Sequence, residues 1–215
     1  FIRPGLPIRF FQKFIKPENK MFELDYFRIY RLWLFEKYFK NYENIYEFGC
    51  GTGFNLLEGA RLFKNKSFFG SVFVKSAVKL ANSLTKNYNL SNLEAEKFNF
   101  IEPNYNYKIL NDSLVCTFGA IEQINSKFIP FIDFLRTKKP NIIIHTEPVK
   151  ELYDHNNYND YTADLFHTKR GYTEGLLPYL SKMENDGEIE ILNIRRLFFG
   201  SLMMEGFNLI IWKFK

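Results

Sequence analysis

Two stretches of this chain carry side chains whose types and spacing could do chemistry. In Ile45-Tyr-Glu-Phe-Gly-Cys-Gly-Thr-Gly-Phe-Asn55, Glu47 stands two residues ahead of Gly49, with Cys50 between it and Gly51, and Gly53 closing the set. Alternating glycines let a backbone turn with φ > 0 and leave no Cβ between that turn and a ligand, while free N–H groups of a following helix favour polar ligand atoms. In Asn141-Ile-Ile-Ile-His-Thr-Glu-Pro148, His145 and Glu147 are two apart, so in extended chain they project from one face. A neutral imidazole can take a hydroxyl proton and a carboxylate neighbour can hold its tautomer, which makes them a candidate acid–base pair. A core histidine beside a helix-capping Glu is the other reading. Between these stretches, Ser113 to Gln123 offers Thr117, Glu122 and Gln123 after an apolar run and a glycine.

These groups need elements to aim them. An apolar run into the glycines, then Phe54, Asn55, Leu56 and Leu57, reads as strand, tight turn and helix over 54–64. Strands are expected over 67–74, 93–96, 113–118 and 139–148, with helices over 75–88 and 127–138, the latter interrupted near its start by Pro130. Ile142, Ile143 and Ile144 predict a strand covered on both sides, as in parallel sheets. Ligands of open α/β sheets sit outside the carboxyl ends of the strands, so 117–123 and 145–147 should face the crevice. Upstream, 21–40 shows helical spacing of apolar positions, and the Pro- and Gly-bearing residues 1–20 read as an irregular arm. Residues 149–182 look the most irregular, and 187–199 and 207–214 read as two long strands joined by a short connection.

Spacing narrows the chemistry. Phe54 occupies the place where a dinucleotide fingerprint needs Gly or Ala, and no Gly-Lys-Ser/Thr follows for a P-loop. Glu47, Gly49, Gly51 and Gly53 resemble the first motif of class I S-adenosylmethionine-dependent methyltransferases, Glu/Asp-x-Gly-x-Gly-x-Gly. The resemblance spans about residues 43–215. It implies a Rossmann-like α/β fold: a seven-stranded, mainly parallel sheet with an antiparallel last strand, helices on both faces and a helical N-terminal cap formed by 1–42. It also implies S-adenosyl-L-methionine as cofactor and S-adenosyl-L-homocysteine as product, the methionine end meeting the glycines and Glu47. In the family a strand-end acid binds both ribose hydroxyls; here Val72 holds that position, leaving Ser71 or a backbone group to substitute. Asn99 matches the adenine-side polar residue, with Phe98 or Phe100 to stack on the ring, although Asn also suits any turn. Thr117 would complete the cofactor side. His145, with Glu147 or Glu122, is expected to deprotonate the acceptor.

The Asn/Asp-Pro-Pro-aromatic signature of adenine and glutamine N-methyltransferases is missing after the 113–118 strand. The Tyr-rich 149–182 insertion, with Tyr161, His167, Arg170 and Tyr172 beside Gln123, reads as substrate-binding, with a helical cover as the plainer role. Asp154, His155, Asp160, Asp164 and His167 match no familiar metal-ligand spacing, so no metal is expected. The resemblance extends to methyltransferases of bacterial capsule and surface-polysaccharide biosynthesis, including the O-methyl phosphoramidate type, which implies O-methylation of a small-molecule, sugar or phosphate-bearing acceptor. A binding module with little cofactor affinity and an RNA methyltransferase remain alternatives.

Length and charge set the outer bounds. At 215 residues with a formal charge of +5, the chain fits one domain, and its scattered lysines make nucleic acid an unlikely partner. No apolar run approaches the ~20 residues that cross a bilayer. Cys50 and Cys116 make no disulfide framework and suit free thiols in a reducing, cytoplasmic setting. The chain opens at Phe1 without a methionine, as a fragment would.

Overall fold

The computed structural model describes residues 4–215. The arm expected to be irregular is partly sheet: β1 (Ile8–Phe10) and β2 (Lys13–Ile15) form a hairpin, with Phe11 and Gln12 at positive φ in its turn. Helix α1 (Phe22–Lys37) follows and runs into a short 3-10 turn at Phe39–Asn41. Then strand and helix alternate through β3 (Asn44–Phe48), α2 (Phe54–Leu62), β4 (Ser67–Val72), α3 (Lys75–Asn87), β5 (Leu93–Lys97), β6 (Ser113–Phe118), α4 (Ile129–Lys138) and β7 (Ile142–Glu147). Pro130 lies in the first turn of α4, where a missing N–H costs nothing, so it starts that helix and does not interrupt it.

Residues 149–182 are mostly helical, the plainer of the two expectations, and not an irregular insertion. Helix α5 (Tyr158–Arg170) begins at Asn157, whose side chain accepts from the amides of Asn159 and Asp160, and stops at Gly171 with φ 63°. Helix α6 (Leu176–Asn185) leads to β8 (Ile189–Arg195). The two long strands expected at the C-terminus are β8 and β10 (Asn208–Phe214); between them β9 (Phe199–Gly200) leaves the main sheet and pairs with β1.

The main sheet has the order β5-β4-β3-β6-β7-β10-β8, parallel from β5 to β7, with β10 antiparallel to both its neighbours. Alternation along the strands sorts the core into two faces. Tyr46, Phe48, Val115, Ile143, Ile210 and Trp212 pack on α4 and α6, whereas Ile45, Leu114, Cys116, Ile144, Leu209 and Ile211 pack on α1 and α2. Cys50 and Cys116 share this second face as free, buried thiols. Because the chain turns from β3 towards β5 on one side and from β6 towards β8 on the other, the carboxyl ends of β3 and β6 flank a crevice. No helix among the described residues is long and apolar enough to cross a membrane.

A buried ionic cluster ties the small β2-β1-β9 sheet to the rest. Arg196 forks onto Asp160 of α5 at 2.6 and 2.7 Å and onto Glu205 at 2.8 Å through two nitrogens. Arg9 of β1 donates to the Leu202 carbonyl and the Thr162 hydroxyl, and Gln12 donates to Asp160 at 2.9 Å. Local sequence would leave this arm loose; polar side chains from distant positions hold it down.

Candidate active site

Strand β3 delivers Glu47 to the crevice and the glycine turn carries the chain away from it. Gly49, Gly51 and Gly53 all take positive φ, at 78°, 55° and 80°. Two of them need that freedom for different reasons. A Cβ on Gly49 would lie 2.2 Å from the Ala120 Cβ, so this glycine lets the β3 turn meet the β6 turn. A Cβ on Gly51 would meet nothing within 4 Å, so the backbone there faces open space. The amides of Gly49 and Cys50 are tied to the Ser71 carbonyl at 2.6 and 3.0 Å, which fixes the turn on β4.

Glu47 is 2% exposed. Its Oε1 accepts from Asn55 Nδ2 at 2.8 Å, and its Oε2 is buried with no partner among the described residues. Burial pushes this carboxyl up to about 7, against the pull of the Asn55 hydrogen bond and the Arg31 charge. Arg31, from the buried face of α1, donates to Asn55 Oδ1 at 3.3 Å, pairs with Glu58 and lies over the Phe54 ring. Sequence reasoning missed Arg31 and Asn55. Asn55 had a usable signal, a polar residue in the first helical turn after the glycines; Arg31 had none, being one cation among many on a periodic helix.

From this point a cleft runs along α1. Its first chamber, about 240 Å³, is lined by Arg31, Phe54, Asn55, Phe118 and Phe207 among others. Phe118 and Phe207 also wall a second chamber, about 120 Å³, with Phe27, Gly119 and Glu122. Glu23, Ser201 and Met204 join that one to a third, about 310 Å³. The cap helix expected from the sequence therefore forms one wall throughout.

Glu122 is 2% exposed, and its carboxyl makes no hydrogen bond among the described residues. Burial first, and the Glu147 carboxylate second, push it up to about 9 against the pull of the Arg170 charge, so it is protonated at neutral pH. Glu147 is used differently. Its oxygens accept from the amides of Ala120, Ile121 and Glu122 at 3.0 to 3.2 Å, and this fixes the turn that presents Glu122. Thr173 holds the same turn from the far side, its amide on the Glu122 carbonyl and its hydroxyl on the Ile121 carbonyl.

His145 does not reach the cleft. It is fully buried, with Nδ1 3.0 Å from the Thr117 hydroxyl and Nε2 without a partner, under Trp212. Desolvation lowers it to about 3, so it stays neutral and enclosed. The strand register explains this: position 145 pairs with Thr117 on one side and Ile210 on the other, in the middle of the sheet and under cover. Thr117, also fully buried, is the partner of this histidine and not a group facing the crevice. Ser71, proposed to replace the ribose acid, points into the core and donates to the Tyr107 hydroxyl at 2.8 Å. Val72 is half-buried and packs with the α1–α2 face.

Around the adenine-side loop, Phe98 is core, Phe100 is half-buried edge-on to Phe131, and Asn99 caps the Ile101 amide at 3.1 Å, the turn role that its residue type allows. Gln123 is exposed and donates to the Gly119 carbonyl. Of the insertion residues, Arg170 and Tyr172 line the outer chamber and Tyr161 is exposed at the surface. His167 is fully buried, Nε2 on the Thr173 carbonyl at 2.7 Å, and burial lowers its basicity. Asp160 is committed to Arg196 and Asp164 to Lys150 at 3.0 Å; among the described residues no group of three or more His, Cys, Asp and Glu could hold a metal.

Comparison with known proteins finds no matching family model and no matching curated protein. Solved structures do match. Magnesium protoporphyrin IX methyltransferase from Synechocystis PCC 6803, solved with bound S-adenosylhomocysteine (SAH), aligns with a TM-score of 0.64 at 11% identity over 90% of this chain and 84% of its own. The [4+2]-cyclase SpnF aligns with a TM-score of 0.62 at 14% identity, covering 86% and 80%. PigF, also with SAH, gives 0.64 at 14% identity, covering 88% of this chain and 56% of its own. At such identities the likeness establishes the fold, that of class I methyltransferases.

Proposed function

We propose that the protein is an S-adenosyl-L-methionine-dependent methyltransferase acting on an oxygen of a small-molecule acceptor. One observation carries this reading: a strand–turn–helix in which the Gly51 backbone faces open space beside Glu47, whose Oε2 is buried and unpartnered. A buried acceptor atom without a partner costs free energy that a cationic ammonium would recover. In this reading Glu47 takes the ammonium of the cofactor's methionine end, Asn55 and Arg31 hold Glu47 in place, and the turn takes the carboxylate. Cys50 on the glycine turn, Val72 at the end of β4, and Asn99 and Phe100 after β5 would bound the ribose and adenine. SAH in the Synechocystis enzyme and in PigF supports the same cofactor for this chain.

S-adenosyl-L-methionine, when bound, supplies a sulfonium methyl group and leaves as S-adenosyl-L-homocysteine. The chain's own contribution is to orient and to move a proton. Phe27, Phe118 and Phe207 exclude water from the middle chamber and offer ring faces that tolerate positive charge. Glu122 is the group placed to receive the acceptor's proton. Neutral in the empty site, it ionises more readily once a cation enters the chamber, because a nearby positive charge favours the carboxylate. Glu147 positions it through the backbone. Holding the reactants together supplies most of the acceleration, and the base adds about 10²–10⁴-fold. Buried free thiols at Cys50 and Cys116 suit a reducing cytoplasmic setting.

Calorimetric titration with SAH tests the cofactor claim, with Gly51→Arg as the blocked control. Micromolar binding in the parent and none in the variant is expected; silence in both sinks the reading. A second reading has its own support. Val72 removes the usual ribose acid, and SpnF is a cyclase on this fold, so the cleft could serve a reaction without methyl transfer.

A further inference from the structure

The largest chamber of the cleft is the outer one, about 310 Å³, and neither the cofactor seat nor Glu122 lines it. Its walls are mainly apolar, from Phe166 of α5, the β9–β10 connection at Leu202, Met203 and Met204, and Leu6 and Pro7 of the arm. Among the described residues two charged side chains border it. Glu23 lines the middle chamber as well, so it marks the inner end; Arg170 lines the outer chamber alone. Arg170 forms no salt bridge among the described residues, although its charge acts on the Glu122 carboxyl. Its guanidinium is set against Tyr172, with Nε 3.4 Å from the hydroxyl and the charged carbon 5.4 Å from the ring centre. Of the other described cations near this end, Arg9 and Arg196 serve the buried ionic cluster, Lys150 pairs with Asp164 and Glu174, and Lys20 borders a separate small cavity. An apolar cavity of this size bordered by an exposed guanidinium that forms no salt bridge has the anatomy of a site for an amphiphile.

We infer that the outer chamber binds the acceptor, and that the acceptor has an apolar, ring-sized body with an anionic group, a carboxylate, sulfonate or phosphate, held at Arg170. Its reactive end then points inwards past Met204 and Ser201 towards Glu122. This assignment rests on the methyl-transfer reading only in calling the ligand an acceptor; the pocket and its charge preference stand on the cavity itself. A carbohydrate would find few polar partners in this chamber, since its described lining is mainly apolar.

Fluorescence titration with 1-anilinonaphthalene-8-sulfonate, set against the uncharged N-phenyl-1-naphthylamine, separates the apolar body from the charge. Arg170→Gln should weaken the sulfonate probe about three- to fivefold, the range for a solvent-exposed ion pair, and leave the neutral probe within twofold. Rising salt should weaken sulfonate binding in the parent and much less in the variant. Met203→Asp, at an exposed position on the same mouth, should weaken the sulfonate probe as well. The inference is overturned if the parent shows no saturable sulfonate binding, if Arg170→Gln leaves it unchanged or lowers both probes alike, or if Met203→Asp does not weaken it. A parallel SAH titration keeps the two readings apart. Sulfonate binding through Arg170 without SAH binding sinks the methyl-transfer reading and leaves the pocket standing, and the opposite pattern sinks the pocket alone.

Discussion

The two ends of the cleft are built on different principles. At the inner end the backbone makes the site: one short segment, Glu47 to Asn55, supplies the turn, the open space at Gly51 and the buried carboxyl. At the outer end side chains from four separate segments make it, the arm, α1, α5 and the β9–β10 connection, and a buried ionic cluster holds them together. A local turn can be specified by a few residues because glycine's conformational freedom acts within the segment itself. A pocket assembled from distant segments depends on every contact that docks them.

That contrast can be broken from either side. The largest effect is expected at the outer end, from Arg196→Met. It leaves Asp160 and Glu205 buried without their shared cation, and losing one partner of a buried pair costs about 3–5 kcal/mol, read as a drop in the urea midpoint. Because the arm and connection are docked by this cluster, the variant should also lose sulfonate-probe binding while still binding SAH. Equal loss of both ligands would mean that the two ends are not independent.

At the inner end the two glycines should part company. Gly49→Ala combines a left-handed φ with a Cβ clash against Ala120, and about 2–5 kcal/mol of stability should go, on general costs for left-handed backbone and overpacking. Gly51→Ala meets no clash and should cost only about 1 kcal/mol of stability for its φ. Its methyl nevertheless enters the space proposed for the cofactor, so SAH affinity should fall more than stability does. Similar unfolding midpoints for the two variants would remove the distinction.

Proton linkage gives a smaller, graded test. Burial sets Glu47 at about 7, and an ammonium partner needs the carboxylate, so SAH affinity should rise about tenfold between pH 6 and pH 8 and flatten above. Glu47→Gln should bind weakly with no such slope. Stability runs the other way. Glu122 holds its proton to about 9 when folded but releases it near 4.5 when unfolded, so above pH 5 the folded state binds more protons and its advantage declines until pH passes 9. His145, lowered to about 3, opposes this on the acid side, where the unfolded imidazole takes a proton that the folded one refuses. Between pH 7 and pH 9 the urea midpoint should therefore fall, and Glu122→Gln should flatten most of that decline. The smallest effect is expected from Val72→Asp, which should tighten SAH binding if the ribose lies at the end of β4; unchanged affinity would place it elsewhere.

Much of this architecture was legible beforehand, for reasons that are local. The strand, turn and helix at Glu47 follow from an apolar run, three glycines and a helical start, and the run Ile142 to Ile144 predicts a strand buried on both faces. The arm misled because Pro4, Gly5 and Pro7 signal irregular chain, while the pairing partner of β1 lies at Phe199 and Gly200. Residues 149–182 misled because polar, Tyr- and Asn-rich composition hides two helices, the first capped by Asn157 and both stabilised by packing. His145 is the most instructive case. Its neighbours correctly placed it on a central strand, but only the register with Thr117 and Ile210 decides that its ring is enclosed and neutral.

The sequence by itself determined the central strands, helices α2 to α4 and the glycine turn, since propensity, period-2 alternation and glycine conformational freedom operate over a handful of neighbouring residues. Which acid meets the cleft and which cations enter the buried ionic cluster were decided by tertiary structure alone. Burial and pairing are properties of groups brought together from distant positions, and no local pattern encodes whether Glu122 or Glu147 is the one bound by amides.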